Sequence, residues 1–185
     1  MPRGGIAGGS PLRDVAPERA DGQLAPMDTD AKKQVLRSIV YGLYALGVRD
    51  GDGAHMMTVN WVTQTSFEPP MLAVAVENES RSLPLLRAAG AFALSVLPAG
   101  ARQLAGKLGR SSASTPNKLA GVAHHPGPTT GAPVLDEGTG WLECRVAGEV
   151  PSGDHVLVVA EVVEAGVQRP GETLTLKETG FRYAG

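Results

Sequence analysis

The run Thr58-Val59-Asn60-Trp61-Val62-Thr63-Gln64-Thr65-Ser66-Phe67 concentrates hydroxyl and amide side chains that could hold a polar ligand. Read as one extended strand, its side chains alternate between faces. Thr58, Asn60, Val62, Gln64 and Ser66 share one face, and Val59, Trp61, Thr63, Thr65 and Phe67 share the other. Polar groups therefore occur on both faces, which is unlike an ordinary half-buried strand. The pattern fits a sheet face turned to water, or a ligand lying along the strand. Asn and Gln amides both donate and accept, which suits a heterocycle that does the same. Ser66, Ser80, Arg81 and Ser82 fall at element ends. Hydroxyls, a guanidinium and free N–H groups at a helix start together suit a phosphate.

Other residue types that could do chemistry have plainer readings. Adjacent His124 and His125 lack a third ligand at metal-site spacing and read as polar loop residues. Asp154 beside His155 would point to the opposite face of a strand, so the pair reads as structural, with His155 an exposed turn histidine on pattern alone. Cys144 is the single cysteine and reads as a small buried residue, which excludes an internal disulfide. Trp61 and Trp141 read as core or contact residues. Arg49-Asp50-Gly51-Asp52-Gly53 lacks the terminal Glu of a calcium loop and reads as a hairpin turn. No nucleophile in an activating setting is visible.

The elements that must position these residues follow from the punctuation. Residues 1–30 mix Gly, Pro, Ala and charge without a period, so a flexible tail is expected there. Asp28-Thr29-Asp30 offer an N-cap to a short helix over AKKQVLRSI. YGLYALGV and AHMMTVNWVTQTSF flank the RDGDG turn as a hairpin, and MLAVAVEN reads as a strand covered on both faces. SRSLPLLRAAG gives a helix capped by Ser80 or Ser82 and ended by Gly90; AFALSVLP is a strand and ARQLAGKLG another helix. The long loop-like segment 111–138 is expected to be functional or to contact another subunit. Strands GWLECRVAGEV, HVLVVAEVVEAG and a shorter LTLKETGFRYAG close the chain. The expected fold is mainly β and antiparallel, a barrel or sandwich.

With 185 residues and 42% hydrophobic content, the chain can bury one core. A net charge of −2 gives no basic footprint for nucleic acid. No apolar run reaches membrane-spanning length, and the start lacks the apolar stretch of a signal peptide. A cytoplasmic protein is expected.

TVNWVTQTSFEPPMLAVAVENESRS resembles the flavin reductase-like family. Its pattern is a Gly-Met-Thr-x-Ser/Asn strand running to Ser-x-x-Pro-Pro, then an apolar strand, then Asn-x-Ser and a further Ser or Thr. Met56 stands where many members carry Gly. Weaker matches are GWLECRV, the Gly153-Asp154-His155 turn and the terminal TGFRYAG. The resemblance implies an FMN-binding split barrel over residues 31–185, Greek-key-like, with two or three short helices. It implies that Thr58, Val59, Asn60 and Trp61 run along the isoalloxazine edge. Gln64, Thr65 and Ser66 would reach the ribityl chain and phosphate, and Asn78, Ser80, Arg81 and Ser82 the phosphate side. His155 and Tyr183 would serve the face where nicotinamide stacks, with Lys107 and Arg110 as further phosphate or dinucleotide contacts. The implied activity is hydride transfer from NADH or NADPH to FMN, or to FAD. A homodimer is implied, together with a partner such as a monooxygenase that consumes the electrons. The alternative is a flavoredoxin-like FMN electron carrier.

Overall fold

The computed structural model describes residues 27–183. The expected tail over 1–30 lies almost wholly outside them. Helix α1 (Thr29–Ser38) starts where Asp28 accepts from the backbone N–H groups of Asp30 and Ala31, as the capping residues foretold. Strands β1 (Tyr44–Asp50) and β2 (Gly53–Val59) form the expected hairpin, with Gly51 at φ 60 in its turn.

The polar run is not one strand. β2 ends at Val59, and the chain resumes as β3 (Val62–Ser66), paired with β4 (Met71–Glu77) and not with β1. Between them the Trp61 carbonyl accepts from Ala75 N–H at 3.0 Å. The alternation expected over 58–66 therefore breaks at Asn60-Trp61, and the two halves face different surroundings.

After β4, helix α2 (Ser82–Ala89) ends at Gly90 in the left-handed region, φ 63. Its start differs in detail from the expected serine cap. Arg81 takes the cap position, while Ser80 Oγ accepts from Ser82 N–H and Ser82 lies inside the helix. β5 (Ala91–Val96), α3 (Arg102–Leu108), the short pair β6 (His124–Pro126) and β7 (Pro133–Leu135), β8 (Gly140–Ser152) and β9 (His155–Val167) follow. The last expected strand is instead helix α4 (Leu176–Thr179), capped by the Thr175 hydroxyl and ended by Gly180 at φ 68. LTLK alternates like a strand, but Thr175 and Gly180 punctuate it as a single helical turn.

The strands order as β2-β1-β5-β8-β9-β4-β3, antiparallel throughout. Leu46, Val48, Val74, Val76, Phe92, Leu94, Cys144 and Val158 line the interior of this curled sheet, and α2 closes it with Leu83 and Leu86. Each such side chain contributes about 1.5–3 kcal/mol by leaving water. Cys144 is wholly buried there, and burial with the adjacent Glu143 pushes its thiol up to about 12. The outer face of β1 and β2 carries a second cluster, in which Ala45 and Met56 pack on α3 residues Ala105 and Leu108 and on Leu135 and Leu174.

The long segment 111–138 is anchored on the outer sheet face. Buried Glu143 accepts from Thr129 N–H, Thr130 N–H and the Thr130 hydroxyl, and Ser95 Oγ accepts from Leu135 N–H. Gly47 on β1 faces Pro133 on β7 so closely that a Cβ would overlap the Pro133 carbonyl oxygen. Among the described residues no helix is long and apolar enough to cross a membrane. Gly47→Ala is expected to cost about 1–3 kcal/mol through overpacking. Urea unfolding checks this, and an unchanged midpoint would mean that β7 yields freely at this contact.

Candidate functional site

Where β2 leaves β1, the sheet opens a cleft of about 860 Å³. Its walls are the end of β2, the end of β4 with the start of α2, the C-terminal half of α3, and the residues after α4. The size suits a small molecule or cofactor. Of the residues singled out from sequence, Thr58, Val59, Asn60, Trp61, Ser80, Arg81, Ser82, Arg110 and Tyr183 line this cleft.

Four others do not. Gln64 and Thr65 are exposed on β3, where Gln64 donates to the Ser66 carbonyl, and Ser66 pairs with Met71 of β4. Asn78 donates to the Gly153 carbonyl, tying the β4 end to the β8–β9 turn. The physical reason is the break at Asn60-Trp61, which carries β3 away from the cleft. Lys107 also lies outside, donating to the Ala120 carbonyl.

One end of the cleft is polar and cationic. Ser80, Arg81 and Ser82 open α2 there, and the Ser82 hydroxyl lies 2.8 Å from Nε2 of His55, a buried residue of β2. Burial, with Lys118 and Arg81 nearby, lowers His55 to about 4, so the ring is neutral at pH 7. Arg81 pairs with Asp50 on its outer side. Lys118 is only 5% exposed and donates to the carbonyls of Leu108 (3.0 Å) and Arg110 (3.2 Å).

The other end is aromatic. The Trp61 ring lies 4.7 Å from His155 and 5.6 Å from Tyr183, centroid to centroid. The Asp154 carboxylate accepts from His155 Nδ1 at 2.6 Å, and Nε2 lies 3.3 Å from the Tyr183 hydroxyl. This corrects the opposite-face expectation for Asp154, which sits in the turn before β9 and so escapes strand alternation. His155 is also buried, not exposed. Its bond holds Asp154 below the usual carboxylate range. Tyr183 donates to Glu77, and burial, with that carboxylate, raises its phenol. Asn60 Nδ2 donates to the Tyr183 carbonyl at 3.3 Å. Trp61 Nε1 is buried without a partner among the described residues.

Residues 36–185 match the family described as flavin reductase like domain. The chain belongs to that family. Flavin reductase-like relatives include the reductase component of 4-hydroxyphenylacetate 3-monooxygenase from Thermus thermophilus, 31% identical over 83% of this chain and 95% of its own. Diflavin flavoprotein A 1 from Synechocystis is 32% identical over 80% of this chain, which spans only 26% of that longer protein. Among solved structures, an NADH:FAD oxidoreductase from Streptomyces globisporus, in complex with NAD and FAD fragments, superposes with a TM-score of 0.74. That structure is 25% identical, covering 85% of this chain and 93% of its own. The fold is the split barrel expected from the flavin reductase-like resemblance.

His55, Lys118 and Phe181 also line the cleft, though sequence reasoning passed over them. His55 had a signal, because it shares a face of β2 with Met57 and Val59, two and four residues on. Lys118 had none, since it sits in irregular chain. The depressed His55 value has a definite sign. Above pH 6.5 the ring is neutral in both folded and unfolded chains and costs nothing. As pH falls from 6.5 toward 4 the unfolded chain takes up the proton first, so stability is lost. His55→Gln is expected to remove this part of the acid sensitivity. Denaturant midpoints at pH 7 and pH 5 for both proteins test it, and parallel losses would show that His55 is not the group responsible.

Proposed function

We propose that this protein is an NAD(P)H:flavin oxidoreductase that takes a hydride from NADH or NADPH onto FMN, with FAD as the alternative flavin. The observation that carries the reading is a single cleft with an aromatic wall at one end and a cationic, hydroxyl-rich recess at the other. That polarity suits a flat heterocycle joined by a polar chain to a phosphate. The orphaned Trp61 Nε1 and the buried Lys118 fit such an occupant, because both lack a full complement of partners in the protein alone.

FMN would supply the hydride-accepting chemistry. The chain's own residues bind, orient and exclude water. Thr58, Val59, Asn60 and Trp61 border the ring space, the last two where the backbone bends between β2 and β3. The Thr58 hydroxyl donates to the Ala105 carbonyl at 2.7 Å, so it fixes α3 against the strand at the cleft wall. Ser80, Arg81 and Ser82 offer hydroxyl, guanidinium and N–H donors at the opposite end. His155 and Tyr183, locked between Asp154 and Glu77, stand on the side we assign to the nicotinamide.

A homodimer is part of the proposal, supported by the apolar side chains that α1 and its exit leave in water: Val35, Ile39 and Val40, the last 82% exposed. A redox partner such as a monooxygenase is supported by the relative named as a reductase component. A cytoplasmic setting accords with a single cysteine held as a buried thiol.

The deciding experiment is anaerobic addition of FMN and then NADH or NADPH to the purified protein, followed in the visible spectrum. Catalytic bleaching of the flavin band is expected. A bound flavin that neither nucleotide reduces would identify an electron carrier instead. His155→Ala is expected to slow NADH oxidation about 10- to 100-fold, with the dissociation constant of FMN little changed. Steady-state kinetics beside a fluorescence titration separate the two effects, and an undiminished rate would remove His155 from the nicotinamide side.

A further inference from the structure

The two ends of the cleft differ in charge as well as in shape. Arg81, Arg110 and Lys118 line it on the side of α2 and α3, whereas the carboxylates on its wall are Glu77 and Glu79. Glu77 closes β4, and its register partner across the ladder is His155, the first residue of β9. Residues directly opposite on paired strands set their side chains side by side on one face. Ala75 shares that face of β4, and its N–H bonds the Trp61 carbonyl. Glu77 therefore belongs to the aromatic end, with Trp61, His155 and Tyr183.

One bond holds its carboxylate there. The Tyr183 hydroxyl has a single proton and donates it to Glu77. Burial, with that carboxylate, raises the phenol, so Tyr183 stays neutral and leaves the charge on Glu77 uncancelled. Among the described residues no Lys, Arg or His nitrogen lies within ion-pair distance of Glu77. Arg182 lines the cleft beside Tyr183 in the chain, but it does not pair with Glu77. Asp154, the carboxylate behind this end, accepts from His155. Holding Tyr183 explains an acceptor at position 77 but not a charge, since a neutral amide oxygen would accept equally well. Glu77 is exposed, and a flat ring laid against Trp61 and Tyr183 would cover it and strengthen its field.

Hydride transfer creates a cation. The C4–H bond of a dihydronicotinamide breaks, and both electrons leave with the hydrogen for the flavin. The nicotinamide ring that remains carries one positive charge. A fixed carboxylate beside that ring favours the transition state over the neutral ground state. We propose that Glu77 takes part in the reaction in this way, its carboxylate stabilising the positive charge that develops on the nicotinamide ring. The proposal rests on the flavin reductase reading of the cleft.

Glu77→Gln removes the charge and keeps an oxygen that accepts from Tyr183. In anaerobic stopped-flow at saturating NADH, the variant is expected to reduce flavin about 10-fold more slowly. A second readout needs no turnover. Flavin-saturated protein already reduced with dithionite consumes neither NADH nor NAD+, so calorimetry gives both dissociation constants. Glu77→Gln is expected to weaken NAD+ about 5-fold relative to NADH, and Glu77→Asp, which keeps the charge, to hold the wild-type ratio. An unchanged ratio in Glu77→Gln overturns the proposal, whatever happens to the rate. A ratio lost equally in Glu77→Asp overturns it too, because the bond to Tyr183 would then be responsible. So does a shifted reduction potential of the flavin with the nucleotide ratio intact, which would assign the charge to the flavin. If NADH and NADPH both fail to reduce flavin on the wild type, the underlying reading falls before any variant is compared, and the proposal falls with it.

Discussion

Everything in the cleft depends on one exchange of backbone partners. At Val59 the chain stops pairing with β1, and by Val62 it is paired with β4. The Trp61 carbonyl makes the changeover by accepting from Ala75 N–H. A continuous strand would keep its ladder satisfied and leave no opening. Here the ladder divides, and Asn60 and Trp61 occupy the divide with their side chains beside the gap. The polar composition of this stretch reflects that geometry, since side chains at a strand break meet neither a dry core nor open water.

The opposite wall is held from a distance. Segment 111–138 supplies Lys118 to the cleft and then crosses the outer face of the sheet. A buried carboxylate, Glu143, binds two of its backbone N–H groups and a hydroxyl. A carboxylate so placed is expensive to bury and acceptable only because its acceptor sites are filled. The segment has little regular structure, yet it is tied to β8 by Glu143 and to β5 by Ser95. Irregular chain held in this way can offer a side chain to a site with the rigidity of a strand.

Local rules made most elements legible in the sequence. The Arg49–Gly53 turn, the cap at Asp28, the terminator Gly90 and the unbroken apolar run of β4 each announce themselves within a few residues. The candidate site was legible where it coincides with such marks: Ser80, Arg81 and Ser82 at a helix start, and Trp61 and His155 beside turns. It was not legible where partners are distant. Gln64, Thr65 and Ser66 look equivalent to Thr58 and Asn60 along the chain, and only the partner change separates them. Lys118 belongs to the cleft through contacts with the end of α3. α4 was hidden because LTLK has the period of a strand, and Thr175 and Gly180, which cap the helix, fall inside the segment expected to be that strand.

Cys144 carries a last consequence. Reduced flavin in air produces hydrogen peroxide, so a protein that handles it lives beside an oxidant of its own making. Peroxide attacks the thiolate, and sulfenic acid is the first rung of damage. The only cysteine of this chain is sealed in the barrel interior, and its proton is held up to about pH 12. The packing that makes Cys144 a good core residue therefore also makes it chemically silent, and the barrel shields its own thiol from the by-product of the chemistry at its mouth.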